Sequence, residues 1–207
     1  MKQPSSRLVS IDMMRGLVMV LMALDHTRDY FSNAMFSPTY LSQTNAAYFL
    51  TRWITHLCAP TFVFLAGTSA FLSSTRYNFS TKQLSNYLIR RGLMLIVLEF
   101  TLVRFGWTFK WDYRYAIAQV IWALGWSMIV LAGLVYLPRK LIAAFALALI
   151  AGHNVFDGIQ PEHFGSVGWL WSVLHVPGAI EYMPGHSLFV LYPLIPWIAV
   201  MAAGYCI

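Results

Sequence analysis

Long apolar runs broken by short polar stretches dominate the chain, and the breaks set the predicted elements. A helix needs roughly 20 residues to cross the hydrocarbon of a bilayer. On that scale about six helices are expected: Ile11–Phe31, Ala46–Ser74, Leu84–Trp107, Ala116–Leu137, Leu141–Phe156 and Ser187–Ile207. Residues 32–45 are polar and turn-rich, with Asn33, Ser37-Pro38, Ser42 and Asn45, and read as a loop. Pro60 predicts a kink in the second helix. The small-residue patch from Ala66 to Ala70 predicts close approach of a neighbouring helix. Thr75–Lys82, the stretch with Lys110, Asp112 and Arg114, and Pro138-Arg139-Lys140 are connections. Asp157–His186 is a long connection whose aromatic middle, Gly168–Leu174, suits a short interfacial or re-entrant helix. Pro184-Gly185 is a turn.

Composition makes this pattern a membrane pattern. The 207 residues are 58% hydrophobic and 11% charged, whereas soluble domains run nearer about a quarter charged. The expected fold class is therefore all-α: a polytopic integral membrane helix bundle in the lipid bilayer, one transmembrane domain over residues 1–207. The sequence stops inside an apolar run at Ile207, so a larger bundle is expected. The formal charge of +6 reports topology, and no nucleic-acid partner is expected. Cys58 and Cys206 lie in apolar segments and predict no disulfide framework. Arg15 interrupts the first apolar run and Asp25-His-Thr-Arg-Asp29 follows it, so the run reads as a retained signal-anchor.

Lys/Arg bias gives the orientation. Lys2, Arg7, Arg76, Lys82, Arg90, Arg91, Arg139 and Lys140 fall on one side and Arg28, Arg52, Arg104, Lys110 and Arg114 on the other, a moderate contrast that Asp157–His186, on that other side with no Lys or Arg, strengthens. The N-terminus is expected to be cytoplasmic. His26 and the acidic, histidine-bearing last connection then share the outer side.

The first helix carries the most chemistry. Only nine uncharged residues separate Arg15 from Asp25, and ionisable groups at membrane depth are functional-site hypotheses. Arg15 and His26 sit about 20° apart around the helix, with Asp12, Met19, Met22 and Asp29 on the same stripe, while Arg28 points away from it. His26 is the best general acid/base candidate, with Asp25 adjoining and Asp29 one turn on, within reach to orient the ring. A helix-end histidine bonded to water or to a neighbouring helix is the plain alternative. Arg15 binds an anion or marks the inner leaflet. Arg52 and His56 share a face of the second helix and line the outer cavity, or are an interfacial arginine and a satisfied histidine. Glu99, in the middle of an apolar run, needs a partner: Arg15, Arg104, a histidine or a proton. Arg90-Arg91 hold the phosphates of a cytoplasmic cofactor, or anchor lipid headgroups, the more ordinary use. No His-x-x-x-His or Cys-x-x-Cys spacing occurs, so no metal is expected. Neither a Walker loop, nor Gly-x-Gly-x-x-Gly, nor Gly-x-Ser-x-Gly is present.

Arg7-Leu-Val-Ser-Ile-Asp12-Met-Met-Arg15-Gly16, then Leu24-Asp25-His26-Thr-Arg28-Asp29-Tyr-Phe31, then Pro60-Thr-Phe-Val-Phe-Leu-Ala-Gly67-Thr-Ser69 resemble the bacterial relatives of heparan-alpha-glucosaminide N-acetyltransferase. The Arg15 and His26 pair, with ten residues between them, is also similar to the motif of the wider transmembrane acyltransferase superfamily. These blocks cover residues 7–73. The resemblance implies transfer of an acetyl group from acetyl-CoA to an amine or hydroxyl of a sugar or glycan on the outer side. It implies His26 as the base and Arg15 on the donor side, in a bacterial inner membrane. It is compatible with a homo-oligomer. The lysosomal enzyme's pattern puts asparagine at the position of His26 and its histidine where this chain has Ser37, so the chemistry rests on His26, as in the polysaccharide acetyltransferases, or on His56, or is altered. Two competing readings remain at this level: a proton-coupled transporter or channel using His26, Asp29 and Glu99 as a relay, and a non-catalytic membrane scaffold.

Overall fold

The computed structural model describes residues 9–33 and 36–207. Lys2 and Arg7 lie outside the described residues. The chain falls into two compact units, Met1–Leu65 and Ala66–Ile207.

In the first unit, helix α1 spans Val9–Phe31 and α2 spans Ala46–Thr55; α3, Cys58–Arg76, begins there. At 1.5 Å per residue α1 is about 35 Å long, enough for the hydrocarbon. The Asn45 side chain caps α2 by accepting from the Tyr48 N–H at 3.0 Å, which fixes where the polar loop ends. The single kinked helix expected over 46–74 is broken at His56–Leu57. Proline lacks an N–H and its ring crowds the carbonyl four residues earlier, which for Pro60 is that of His56. The chain restarts as α3 with Pro60 in its first turn, where no intrahelical donor is needed. The break therefore falls upstream of the proline.

The second unit holds the rest of α3, then α4 (Thr81–Leu98), a π-helical turn Glu99–Val103, α5 (Arg104–Thr108), β1 (Tyr115–Ala118), α6 (Val120–Leu134) and α7 (Arg139–Gly152). Then follow 3-10 turns at His153–Phe156 and Pro161–Val167, α8 (Gly168–Leu174), β2 (Gly178–Met183), β3 (His186–Val190) and α9 (Leu194–Cys206). Helix α8 coincides with the aromatic segment expected to be a short interfacial or re-entrant helix.

The all-α expectation needs one correction. A three-stranded sheet of order β1-β3-β2 is present. β1 runs parallel to β3, pairing Ala116 with Leu188 and Ala118 with Val190; β2 runs antiparallel to β3. The sheet takes the opening residues of the helices expected at Ala116–Leu137 and Ser187–Ile207. A short apolar run does not distinguish a buried strand from a buried helix by periodicity. The switch to helix comes at extended residues, Gln119 before α6 and Pro193 before α9. Pro184-Gly185 closes the β2–β3 hairpin, and Gly185 takes the positive φ of 73° that the turn requires.

The strands also shorten the helices. Among the described residues, two stretches, Ala46–Arg76 and Arg139–Phe156, are long and apolar enough to cross a membrane by length and composition, and Val120–Leu134 and Leu194–Cys206 are shorter apolar helices. Of the six spans expected, those over 46–74 and 141–156 thus coincide with stretches long and apolar enough to cross, while the shorter apolar helices α6 and α9 each follow a strand.

Backbone proximity holds the helices of this unit. A Cβ on Gly92 of α4 would lie 2.6 Å from the Gly125 carbonyl oxygen of α6, and one on Gly67 of α3 would strike the Met201 carbonyl oxygen of α9. Gly67 belongs to the patch expected to admit a close neighbour. Ala118, Trp122, Ala123 and Leu194 form a buried cluster, with Phe100, Trp126 and Trp197 packed around it. The sheet end and the helix ends therefore share one core.

Candidate functional site

The C-terminal end of α1 carries Asp25, His26, Arg28 and Asp29. Asp25 is the hub. Its Oδ1 accepts from Arg28 Nη2 at 2.5 Å and from Thr55 Oγ1 at 2.7 Å. Its Oδ2 accepts from Arg52 Nη1 at 2.6 Å. Arg28 Nη2 donates also to Asp29 Oδ1 at 2.9 Å. The side chains of Arg28 and Asp25 are 10% and 14% exposed, so their pairing is shielded from water and not a loose surface contact. Two carboxylates and two guanidinium groups balance, and the network fastens the end of α1 to the end of α2.

Arg28 lies off the Arg15–His26 stripe by helical phase, yet it belongs to this network. Its i,i+3 spacing from Asp25 puts the two on one side of the helix. Arg52 and Thr55, also i,i+3, reach Asp25 from α2. Sequence spacing could have found each pair within its helix. The contact between Asp25 and Arg52 joins residues 27 apart, and no local signal encodes it.

His26 follows Asp25 directly and is half-buried, as are Asp12 and Arg15 further back on the same helix. His56 caps the end of α2, and its Nδ1 lies 2.7 Å from the Arg52 carbonyl oxygen. A carbonyl only accepts, so Nδ1 carries the proton there and Nε2 is the basic nitrogen of the neutral ring. Arg52 thus touches Asp25 through its side chain and His56 through its backbone. Both candidate bases, His26 and His56, are attached to residues of one ion-paired network, and Asp29 belongs to it through Arg28.

Arg90 and Arg91 belong to the second unit. They lie on α4 and line an open groove of about 400 Å³ with Gln83, Asn86, Tyr87 and Met94.

Glu99 has a partner outside the expected set of Arg15, Arg104, a histidine or a proton. The side chain is buried, and Oε2 accepts from the backbone N–H of Trp122 at 2.9 Å. That N–H belongs to the first turn of α6, where donors lack intrahelical partners and the helix dipole favours an anion. Glu99 is a helix cap from a neighbouring element. The π-helical turn that starts at Glu99 adds the extra residue per turn that re-aims the side chains after it. Arg104, offered above as a partner for Glu99, instead donates to the backbone carbonyls of Lys110, Asp112 and Tyr115 and lies 4.3 Å from the ring centre of Tyr113. It shapes the connection leading into β1.

Among the described residues, no group of three or more His, Cys, Asp or Glu side chains converges as a metal site would.

These observations describe a helical membrane protein with an ion-paired, histidine-bearing site at one end of its first helix. A family model described as "Heparan-alpha-glucosaminide N-acetyltransferase, catalytic" matches residues 7–207. The chain belongs to that family, whose members are membrane-embedded acetyltransferases. The match runs far past the motif blocks of residues 7–73 and takes in the sheet and α9. No curated protein and no solved structure matches the chain.

Proposed function

We propose that the protein transfers an acetyl group from acetyl-CoA to the amine or hydroxyl of a sugar or glycan acceptor at the outer face of a bacterial inner membrane, with its N-terminus in the cytoplasm. The observation that carries this reading is the Asp25 network. It ties the ends of α1 and α2 together beside two histidines, in a chain of an acetyltransferase family.

His26 is the general base. As the acceptor nitrogen or oxygen attacks the thioester carbonyl, the acceptor's proton passes to the imidazole. The carbon–sulfur bond breaks and the CoA sulfur takes a proton in return, so the histidine ends neutral. Asp29, one turn beyond His26 and held by Arg28, supplies a carboxylate that favours the imidazolium formed in that step. Arg15, three turns back on nearly the same face, attracts the anionic donor. His56, with Nε2 as its basic nitrogen, is the alternative base.

Purified protein supplied with acetyl-CoA and glucosamine should release free CoA thiol and acetylated amine in equal amounts. Substrate flux through sealed vesicles with no thioester consumed would contradict the reading and favour a transporter.

A further inference from the structure

The turn between α3 and α4 has a property that the acyl-transfer reading does not use. From Arg76 to Leu98 the chain carries four basic residues, Arg76, Lys82, Arg90 and Arg91, and no acidic one. Aromatic rings link two of them, Arg76 and Arg91. The Arg76 guanidinium lies 5.8 Å from the Tyr77 ring centre. Tyr77 stacks on Phe79 at 5.6 Å, and Phe79 meets Tyr87 at 5.7 Å. The Arg91 guanidinium lies 5.5 Å from the Tyr87 ring centre and donates from Nη1 to the Tyr87 hydroxyl at 2.6 Å. Tyrosine rings and cations together are the composition of a membrane–water boundary.

The groove on α4 is graded along the helix axis. Gln83 and Asn86 lie at one end, Tyr87, Arg90 and Arg91 in the middle, and Met94 at the other. Around and past that end the exposed surface of the same helix is apolar, with Leu93, Met94 and Val97 at least half-exposed. Polar, then cationic, then apolar is the order in which an amphiphile with a phosphate near its head would be met. Arg91 is held in place by Tyr87, so less side-chain freedom is lost on binding an oxyanion.

We propose that this groove is a phosphate-binding site at the membrane surface, and that its ligand chemistry is the phosphate of an anionic amphiphile. Two sources share that chemistry: the phosphodiester of an anionic phospholipid, and the nucleotide phosphates of a CoA thioester. The apolar track beyond Arg91 suits the phospholipid. The inference does not rest on the assignment of His26.

The test uses the full chain in a neutral detergent, titrated separately with short-chain phosphatidylglycerol, short-chain phosphatidylcholine and 3′,5′-ADP. Binding is read by thermal shift and by retained ligand in native mass spectrometry. Phosphatidylglycerol should bind better than phosphatidylcholine, and R90Q/R91Q should weaken it about 25-fold, about fivefold for each arginine removed. Added salt should weaken wild-type binding in the same direction. Tyr87→Phe, which keeps both cations and frees Arg91, should cost less than the double substitution. If R90Q/R91Q weakens 3′,5′-ADP and leaves phosphatidylglycerol unchanged, the phosphate site stands and its source is the nucleotide. Affinities for both ligands within about twofold of wild type in R90Q/R91Q, against the change expected from two lost charges, would overturn the proposal.

Discussion

Removing the charge of Asp25 takes the carboxylate away from Arg52 and leaves Arg28 with Asp29 alone. Asp25→Asn keeps the size and loses the ion pairs. Because the pair is largely shielded, the cost should be about 2–4 kcal/mol, below the figure for a fully buried pair. A lowered thermal midpoint in detergent would record it. The double variant with Arg52→Gln should lose less than the sum of the single losses, a coupling of about 1 kcal/mol or more; additive losses would mean that the contact carries no energy. At this scale the sequence was informative about residue types and weak about partners. Asp25, His26 and Asp29 stood out because carboxylates and a histidine at the end of a membrane helix are costly. Asp25 looked like a supporting neighbour, since helical phase says nothing of what α2 brings to it. Glu99 was visible as an anomaly, but its partner, a backbone N–H, carries no side-chain signature.

Among the secondary-structure elements, helices that begin and end at polar breaks were readable. Helix α1 and the aromatic helix α8 fell where apolar pattern and turn residues put them. β1 and β3 did not, because Tyr115–Ala118 and His186–Val190 are too short for their alternation to be separated from the apolar helices that follow. The parallel pairing between them spans the chain from Tyr115 to Ser187 and has no local cue. Gly92 and Gly125 show how sequence and packing meet: each sits where a side chain would strike the other helix. Gly92→Leu should force α4 and α6 apart and cost at least about 1–3 kcal/mol. Gly133→Ala, in the same helix as Gly125 but with nothing within 4 Å of the added carbon, should be neutral or stabilising by up to about 1 kcal/mol. Equal effects from the two substitutions, read as thermal midpoints, would contradict the close-packed contact.

For the whole molecule, composition alone announced a membrane protein, and family membership agrees. Orientation rests on charge bias. If the N-terminus is cytoplasmic, Asn78 in the α3–α4 turn faces inward and Lys110, between α5 and β1, faces outward. With Cys58 and Cys206 replaced by serine, an impermeant thiol reagent applied to intact cells should label Lys110→Cys and spare Asn78→Cys. The reverse pattern would invert the topology and move the proposed acceptor to the cytoplasmic side.

His26 is the residue on which the proposed acetyl transfer depends. Acetyl transfer from acetyl-CoA to an amino-sugar acceptor, measured for wild type, His26→Ala and His56→Ala at equal amounts of folded, membrane-inserted protein, tests it directly. Loss of a general base should lower the rate of His26→Ala by about 10²–10⁴-fold, with a much smaller change for His56→Ala. Undiminished transfer by His26→Ala would contradict the assignment of the base, and a loss confined to His56→Ala would move it to the end of α2.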